Sequence, residues 1–517
     1  MATTVSEKAS LLGPYQPTLI LHGGAGSISR ATLPPELWSR YQASLLKYLT
    51  LTRELLDSGA SALDAACYAV TLFEDDPLFN CGRGAVFTEQ GTIELEASLM
   101  VCSIDPAGPP AGGIKRSAAV SLVQNTRHPI LLAKEVLVAA DDDGGLGQIN
   151  TMHCHLSGRR LEEWGWNEKG LEKQPDQWFW TKERWEEHRR GLQKPDSYTF
   201  EDLLASEGSS SISFRQRERE HEEETVGIAD IPSQGTVGAV CLDSWGNLAV
   251  ATSTGGLTNK KAGRIGDTPT VGAGFWAEGW EEAISPPTRH GHDLMPRISF
   301  HTQTRSVFNQ TWAQLGHWVG PCLDAFDQSR DYQPLNGDPP AYTPMPTSPS
   351  QPYRSPSSLV CPSAHRSQRR RRAVAMSGTG NGDSFLRTNA VRTAAAMCRF
   401  SAATSLSEAV TAVAGPGGEL QSSAGNRWDR TFEGQGGIIG IELVSDDLDA
   451  DDDPSMYGAS PESRNGRHRT DCKTRRKKRR GKVVFDFNCG GLFRAFFEVD
   501  EQGQREKPRA MVFKEEY

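Results

Sequence analysis

Several things are scarce in this 517-residue chain, and each scarcity removes a class of protein. Its ten cysteines form no CxxC pair and keep no regular spacing, which fits reduced thiols better than a disulfide scaffold. The opening stretch MATTVSEKASLLGPYQPTLILHGG lacks a basic leading region and is broken by prolines, so it reads poorly as a signal peptide. No apolar run approaches the length that spans a bilayer, so no membrane partner is expected. Positive charge is not in excess either: the net charge is −9, which does not suit nucleic-acid binding as the main business. The glycines of HGGAG (22–26) lack both the GxGxxG spacing and the lysine of a P-loop, so a phosphate-binding turn is only weakly indicated. His153-Cys154-His155 groups metal-ligating types. Three adjacent residues of a strand cannot all face one ion, however, and no distant Cys/His pair completes a set. Ordinary strand or loop is the better reading there, no metal is expected, and the expected compartment is the cytoplasm.

What is present is a core diluted by polar segments: the hydrophobic fraction is 37%, with Gly 51 and Pro 30. Residues 17–26 read as a buried strand ending in a glycine-rich turn. A helix follows from about Pro34, its apolar face running through Leu37, Tyr41, Leu45 and Tyr48. A second helix, roughly Ser61 to Phe73, has Ser61 as N-cap. FEDDPLFNCGRGAVFTEQGTIELEASLMV (73–101) reads as a loop and two strands around a Glu89-Gln90-Gly91 turn. Residues 127–140 return to helix, and the tryptophans of 161–192 read as helix faces and packing anchors.

Three segments lose periodicity. Residues 194–235 have the composition of a solvated linker. Residues 285–372, Pro/Ser-rich and closed by four arginines, read either as a disordered inserted loop or as translated sequence that the functional protein lacks, and residues 445–481, with their acidic and basic runs, as a second disordered insertion. The basic cluster Arg475–Arg480 resembles a nuclear-import signal, though solvated surface is the favoured reading. Strand, glycine turn and helix start are expected in AVAMSGTGNGDSFLR (373–387). GGIIGIELV and VVFDFNCGGLFRAFF are expected as a final strand pair.

The stretch that carries chemistry is 235–267, GTVGAVCLDSWGNLAVATSTGGLTNKKAGRIGD. Two alternating runs flank Ser244-Trp245-Gly246-Asn247, a turn, so a hairpin would set Thr236 beside Thr252 and Thr254. A threonine hydroxyl needs a base. His22, His128 and His153 lie in contexts with no obvious carboxylate partner, so no Ser/His/Asp arrangement presents itself. If the Gly235–Thr236 bond were cut, the free α-amine of Thr236, with a reference pKa near ~7.7–8.0, could deprotonate its own hydroxyl. Glycine at 235 would allow the close approach that such a cut requires.

This hairpin closely resembles the β-subunit start of the plant-type L-asparaginases, or isoaspartyl peptidases, N-terminal nucleophile hydrolases that mature by self-cleavage. LHGGAG (21–26), PLFNCGRGAVFT (77–88), ELEASLM (94–100), SGTGNGDSFLR (377–387) and FNCGGLFRA (487–495) look like further family segments in family order. By position, the resemblance makes Thr236 the nucleophile, its amine the base, and Thr254 the threonine that hydrogen-bonds it. Arg264 and Asp267 match the pair that grips the substrate's α-carboxylate and α-amine, a role their charges suit. Thr379 and Gly380 match the oxyanion donors. Gly382 matches a backbone substrate contact, and Asn80 a side chain near the scissile bond. The loop from Phe73 to Arg83 corresponds to one whose carbonyls bind sodium in relatives. Asp76 and Arg83 stand there in place of the usual apolar residues, which counts against that ion, and no cofactor is expected.

The resemblance implies an α+β fold of the four-layer αββα sandwich type. One domain would be built from an α-part (1–235) and a β-part (236–517), with two cleaved αβ units pairing as a dimer. It implies hydrolysis of L-asparagine or of β-aspartyl dipeptides through a β-aspartyl ester of Thr236. A taspase-like endopeptidase would have aspartate before the nucleophile and would lack Asp267. A glycosylasparaginase would also have aspartate there, with a signal peptide and disulfides. An uncleaved binding or scaffold protein would draw on the charged insertions, chiefly Arg475–Arg480.

Overall fold

Fourteen strands and ten helices are interspersed along the described chain, the central strands being runs of β-branched and small apolar residues. The computed structural model describes residues 13–105, 116–139, 153–193, 235–283, 369–446, 479–500 and 505–517. All of them belong to one compact unit, Met1–Ile284 with Gln368–Tyr517. The chain opens with β1 (Tyr15–Gln16), β2 (Thr18–Gly26), α1 (Pro35–Asp57), α2 (Ala62–Glu74), β3 (Leu95–Ser103), β4 (Arg116–Val123) and α3 (Pro129–Ala139). Next come β5 (His155–Ser157), α4 (Arg159–Asn167), α5 (Asp176–Phe179), α6 (Lys182–Gln193), β6 (Val237–Leu242), β7 (Asn247–Thr254) and β8 (Phe275–Ala283). Then follow β9 (Arg369–Gly380), α7 (Gly382–Thr388), α8 (Ala390–Phe400), α9 (Leu406–Ala414) and α10 (Glu419–Ser423). The last strands are β10 (Gly436–Asp446), β11 (Arg479–Arg480), β12 (Lys482–Phe487), β13 (Gly491–Val499) and β14 (Glu506–Met511).

An eight-stranded sheet has the order β14-β13-β2-β6-β7-β3-β4-β5, and a four-stranded sheet the order β12-β10-β9-β8. Neighbours are antiparallel except β4 and β5. Strand alternation divides the large sheet into two faces. Leu19, Leu21, Val237, Ala239, Ala249, Ala251, Leu95 and Leu99 share a core with Trp38, Tyr41 and Leu45 of α1 and with residues of α2 and α3. Ile20, Val240, Val250 and Met100 share a second core with Phe275, Ala375 and Ile439 of the smaller sheet and with α8 and α9. Mostly antiparallel sheets with helices gathered on their faces make this an α+β fold.

The first helix buries Trp38, Tyr41, Leu45 and Tyr48, the face expected from its period, while Leu37 is half-buried. Ser61 caps α2 by accepting a hydrogen bond from the Asp64 amide. Elsewhere the chain departs from the sequence reading. The glycines of 23–26 lie inside β2, where Gly23 leaves room for the Phe79 ring; a Cβ there would sit 2.5 Å from it. Residues 77–88 form one 3-10 turn, Gly82–Gly84, and an isolated bridge from Thr88 to Lys260, so only β3 follows as a strand. The final strand pair forms as expected between β10 and β12, but the second run divides, and its latter half, β13, joins β2 in the large sheet.

The arginines that close the 285–372 segment are part of β9, paired with β8 and β10. Arg372 is buried against Glu442 at 2.5 Å, and Arg371 meets Glu281 at 3.1 Å, which is how a basic run tolerates a sheet. Ser445 and Asp446 likewise end β10, and Arg479 and Arg480 pair with Tyr15 and Gln16. The linker at 194–234 and the remainder of both insertions lie outside the described residues, as do four of the six residues of the basic cluster. No described helix is long and apolar enough to cross a membrane.

Candidate active site

The inner face of the large sheet changes from apolar to polar towards one end. Ile20, Val240, Val250 and Met100 form an apolar row in register, and two positions along lie His22, Gly238, Thr252 and Ser98. The next row holds Glu96 opposite Thr254, and Thr236 lies one residue beyond the pair Val237 and Ser253. Thr236 and Thr254 therefore stand at adjacent strand ends, as the hairpin led us to expect. The smaller sheet brings Ser377 and Thr379 of β9 against this face.

The backbone N–H of Thr236 donates to Thr379 Oγ1 at 3.0 Å, and that of Ala25 donates to the same oxygen at 3.2 Å. Both lone pairs of this buried hydroxyl are thus used, and its proton is left to donate to a third group. A Cβ on residue 235 would lie 2.4 Å from the same oxygen and 3.1 Å from the Ala25 backbone, so glycine is required there. Gly380 has φ +148°, a region L side chains avoid, and a Cβ there would meet the Gln435 carbonyl at 2.4 Å.

The hydroxyl of Thr236 is 2.9 Å from that of Thr268, which the sequence reading did not single out. Ser98 donates to the Thr268 carbonyl at 2.6 Å; with its proton used, Thr252 must be the donor in the 2.6 Å contact between their hydroxyls. Thr252 is therefore a buttress rather than a reacting group. Thr254 Oγ1 accepts from the Gly256 amide at 3.0 Å. Asn80 donates to the Gly256 carbonyl at 2.8 Å, accepts from the Val86 amide at 3.1 Å, and its carbonyl takes the Gly255 amide at 3.0 Å. Its side-chain Nδ2 and main-chain carbonyl thus hold the turn behind Thr254, while its Oδ1 ties that turn to Val86.

His22 Nε2 is 2.7 Å from Ser377 Oγ, and a Cβ on Gly238 would lie 2.4 Å from each of these atoms. Burial pushes the His22 pKa down to about 3, against a smaller opposing pull from the Thr236 backbone, so the ring is neutral. Its partner is a serine; His128, by contrast, does have a carboxylate, Asp75 at 3.0 Å, which also holds Arg127. His153 and Cys154 are exposed beside the short β5. Among the described residues no group of His, Cys, Asp and Glu could hold a metal ion.

Arg264 and Asp267 meet at Gly382, the first residue of α7. A Cβ there would lie 2.6 Å from Asp267 Oδ1 and 3.0 Å from Arg264 Nη2. Arg264 also contacts the exposed Asp383 at 3.1 Å. Asp267 is buried, its Oδ2 has no hydrogen-bond partner, and burial, with a further push from Glu96, raises its pKa to about 7. Glu96 and Lys260 complete this charged cluster. Burial moves the Glu96 pKa up and that of Lys260 down. A carboxylate within the wholly buried strand LEASLMVCS was the available signal for Glu96. Thr268 lies in a loop, where no period predicts a contact.

The 73–83 loop is held by side chains. Asp76 accepts from Ser44 (2.8 Å), Tyr48 (2.6 Å) and the Leu78 amide (3.0 Å). The Leu78 carbonyl accepts from Tyr41 at 2.9 Å, and the buried Arg184 guanidinium donates to the Gly84 carbonyl at 2.9 Å. Arg83 stacks over Trp178. The Arg184 guanidinium thus supplies positive charge at the end of this loop.

A family model described as asparaginase matches residues 15–302. The chain is 34% identical over 267 residues to an isoaspartyl peptidase of Salmonella typhimurium, covering 52% of this chain and 71% of that one. It is 35% identical over 269 residues to the isoaspartyl peptidase of Escherichia coli K12, covering 52% and 70%. With an isoaspartyl peptidase/L-asparaginase of Bos taurus it shares 32% over 311 residues, covering 58% and 82%.

Proposed function

Because the chain belongs to the asparaginase family, we propose that it is a self-cleaving threonine amidohydrolase acting on L-asparagine and on β-aspartyl dipeptides. The observation that carries this reading is the Gly235–Thr236 junction. There a required glycine precedes a buried threonine whose N–H rests on Thr379 and whose hydroxyl meets Thr268. In maturation, Thr236 Oγ attacks the Gly235 carbonyl carbon and the C–N bond breaks. Water then hydrolyses the resulting ester, leaving a Gly235 carboxylate and a free Thr236 amine.

In turnover that amine takes the hydroxyl proton as Oγ bonds to the side-chain carbonyl carbon of the substrate. Thr379, whose proton is uncommitted, and the Gly380 N–H hold the oxyanion. The C–N bond breaks, the proton leaves with ammonia or the amine, and water cleaves the β-aspartyl ester to restore Thr236. Arg264 holds the substrate's α-carboxylate and Asp267 its α-ammonium, with Gly382 leaving space between them. Thr268 orients the nucleophile in place of the Thr254 that the resemblance implied, Thr254 stands at the adjacent strand end with its hydroxyl on the Gly256 amide, and Asn80 steadies the turn behind it.

We assign 1–235 and 236–517 to the two parts of one N-terminal nucleophile domain with the four-layer αββα arrangement. Support for it comes from the two cores, one under helices and one between sheets. The reading needs no cofactor, and includes a cytoplasmic setting and a dimer of αβ units. Denaturing electrophoresis tests the central claim. The wild-type chain should give fragments of about 235 and 282 residues with release of ammonia from asparagine, and Thr236→Ala a single inert band. A Thr236→Ala chain that still splits at this bond sinks the reading.

A further inference from the structure

We infer that Glu96 is a positioning residue of the substrate grip, anchoring the Arg264–Asp267 turn and adding a second negative charge behind Asp267 where the substrate's ammonium must settle. This inference rests on the reaction proposed at Thr236. Glu96 lies in a central strand, is 1% exposed, and stands where the two halves of the site meet. On one side its register partner is Thr254. On the other, its Oε1 accepts the Gly266 amide at 2.8 Å, inside the turn that carries Arg264 and Asp267. A Cβ on Gly266 would lie 3.0 Å from Glu96 Oε2 and 3.0 Å from Arg264 Nη1, so both groups crowd the same side of that glycine.

Two buried oxygens here have no hydrogen-bond partner, Glu96 Oε2 and Asp267 Oδ2. A buried carboxylate oxygen left so is costly unless it is protonated or meets a cation. The cations nearby, Lys260 and Arg264, pull on Glu96 through space, and Arg264 on Asp267 as well, but their hydrogen bonds go elsewhere: Lys260 donates to the Glu94 carbonyl at 2.8 Å, and Arg264 pairs with Asp383 on α7. Glu94 itself accepts the Gly263 amide at 2.8 Å. Glu96 and Asp267 thus form a buried carboxylate pair with two oxygens that lack a donor, which an α-ammonium group would supply.

The coupling has a sign. Burial first, then the Glu96 charge, raises Asp267 to about 7, so the free site holds a proton in mildly acidic solution. An arriving ammonium must displace that proton into solvent. KM should therefore rise as pH falls below about 7, tending to about tenfold per unit for one proton. Glu96→Gln keeps an oxygen for the Gly266 amide but removes the charge. Its KM should be higher at pH 8, and the break should move to lower pH.

The test measures KM and kcat for β-Asp-Leu between pH 5 and 9 in both proteins. The inference expects the difference in KM rather than in kcat, with the displaced break. A Glu96→Gln profile that breaks where the wild type does overturns it. Should Glu96→Gln fail to fold, Glu96→Asp keeps the charge and should retain the wild-type break; a displaced break there overturns the inference equally. A second measurement is independent of turnover. Asp267 binds protons more tightly folded than unfolded between its ordinary value near 3.8 and about 7. The stability this contributes is full below that window and is lost as pH rises through about 7. Glu96→Gln removes both the push on Asp267 and the Glu96 carboxyl, whose own pKa burial raises, so the fall in Tm from pH 5 to 8 should be smaller on both counts, and an equal fall overturns the coupling. An inert wild-type chain would instead count against the proposed reaction alone, and the melting comparison would still decide the coupling.

Discussion

Replacing Thr379 by valine keeps the shape of a fully buried side chain and deletes one oxygen. That oxygen accepts two buried amides, Thr236 N–H at 3.0 Å and Ala25 N–H at 3.2 Å, and each loses its partner. An orphaned buried donor costs about 1–3 kcal/mol, so the uncleaved chain should lose roughly 2–6 kcal/mol of stability. In the cleaved chain the Thr236 nitrogen is a terminal amine that can turn to water, and about 1–3 kcal/mol remains, from Ala25 alone. The same substitution removes the hydroxyl proton that the proposed mechanism gives to the oxyanion, which should slow turnover by about 10²–10³, or roughly 2.7–4 kcal/mol. Ammonia release normalised to the cleaved fraction reads the rate, and thermal unfolding of cleaved and uncleaved protein reads the stability. Thr379→Ser retains the oxygen and should recover most of both. If Thr379→Val turns over within a few-fold of wild type, the hydroxyl does not hold the oxyanion. If serine is as damaging as valine, the methyl group matters rather than the hydrogen bonds.

Two further substitutions separate the grip from the scaffold. Gly382→Ala puts a Cβ 2.6 Å from Asp267 Oδ1 and 3.0 Å from Arg264 Nη2, so both groups must shift; KM should rise by about tenfold or more, equivalent to 1.4 kcal/mol, with self-cleavage on gels intact. Arg372→Met leaves Glu442, its partner at 2.5 Å, buried and unpaired, and should destabilise the fold by about 3–5 kcal/mol in urea titration. Adding Glu442→Leu should restore much of that stability.

Much of the site could be read along the chain because its parts are local. The turn at 244–247 aligns two short strands, so Thr236 and Thr254 fall at adjacent ends once the hairpin forms. Arg264 and Asp267 sit three residues apart, and the glycines at 235, 380 and 382 each mark a place where a Cβ would strike a neighbour. The Ser61 cap and the buried face of α1 follow from helix geometry alone. Contacts between distant segments were not legible. Arg184 reaches the Gly84 carbonyl from α6, and Ser377 reaches His22 from the other sheet. The arginines at 369–372 read as part of an insertion because the acids that pair with them, Glu281 and Glu442, are far off in sequence.

The sequence by itself determined the chemistry on offer: which hydroxyls, charges and glycines stand at the hairpin and in the segments that resemble a known family. Periodicity and turn residues act over a few positions, and so they encode strands, caps and faces. Only the tertiary structure decided which partners those groups meet. Register between two strands far apart in sequence set Glu96 opposite Thr254, and the packing of one sheet on another filled both lone pairs of Thr379 and brought Thr268 to the Thr236 hydroxyl. Burial, which is a property of the whole fold, then separated a neutral His22 from an Asp267 poised near neutral pH.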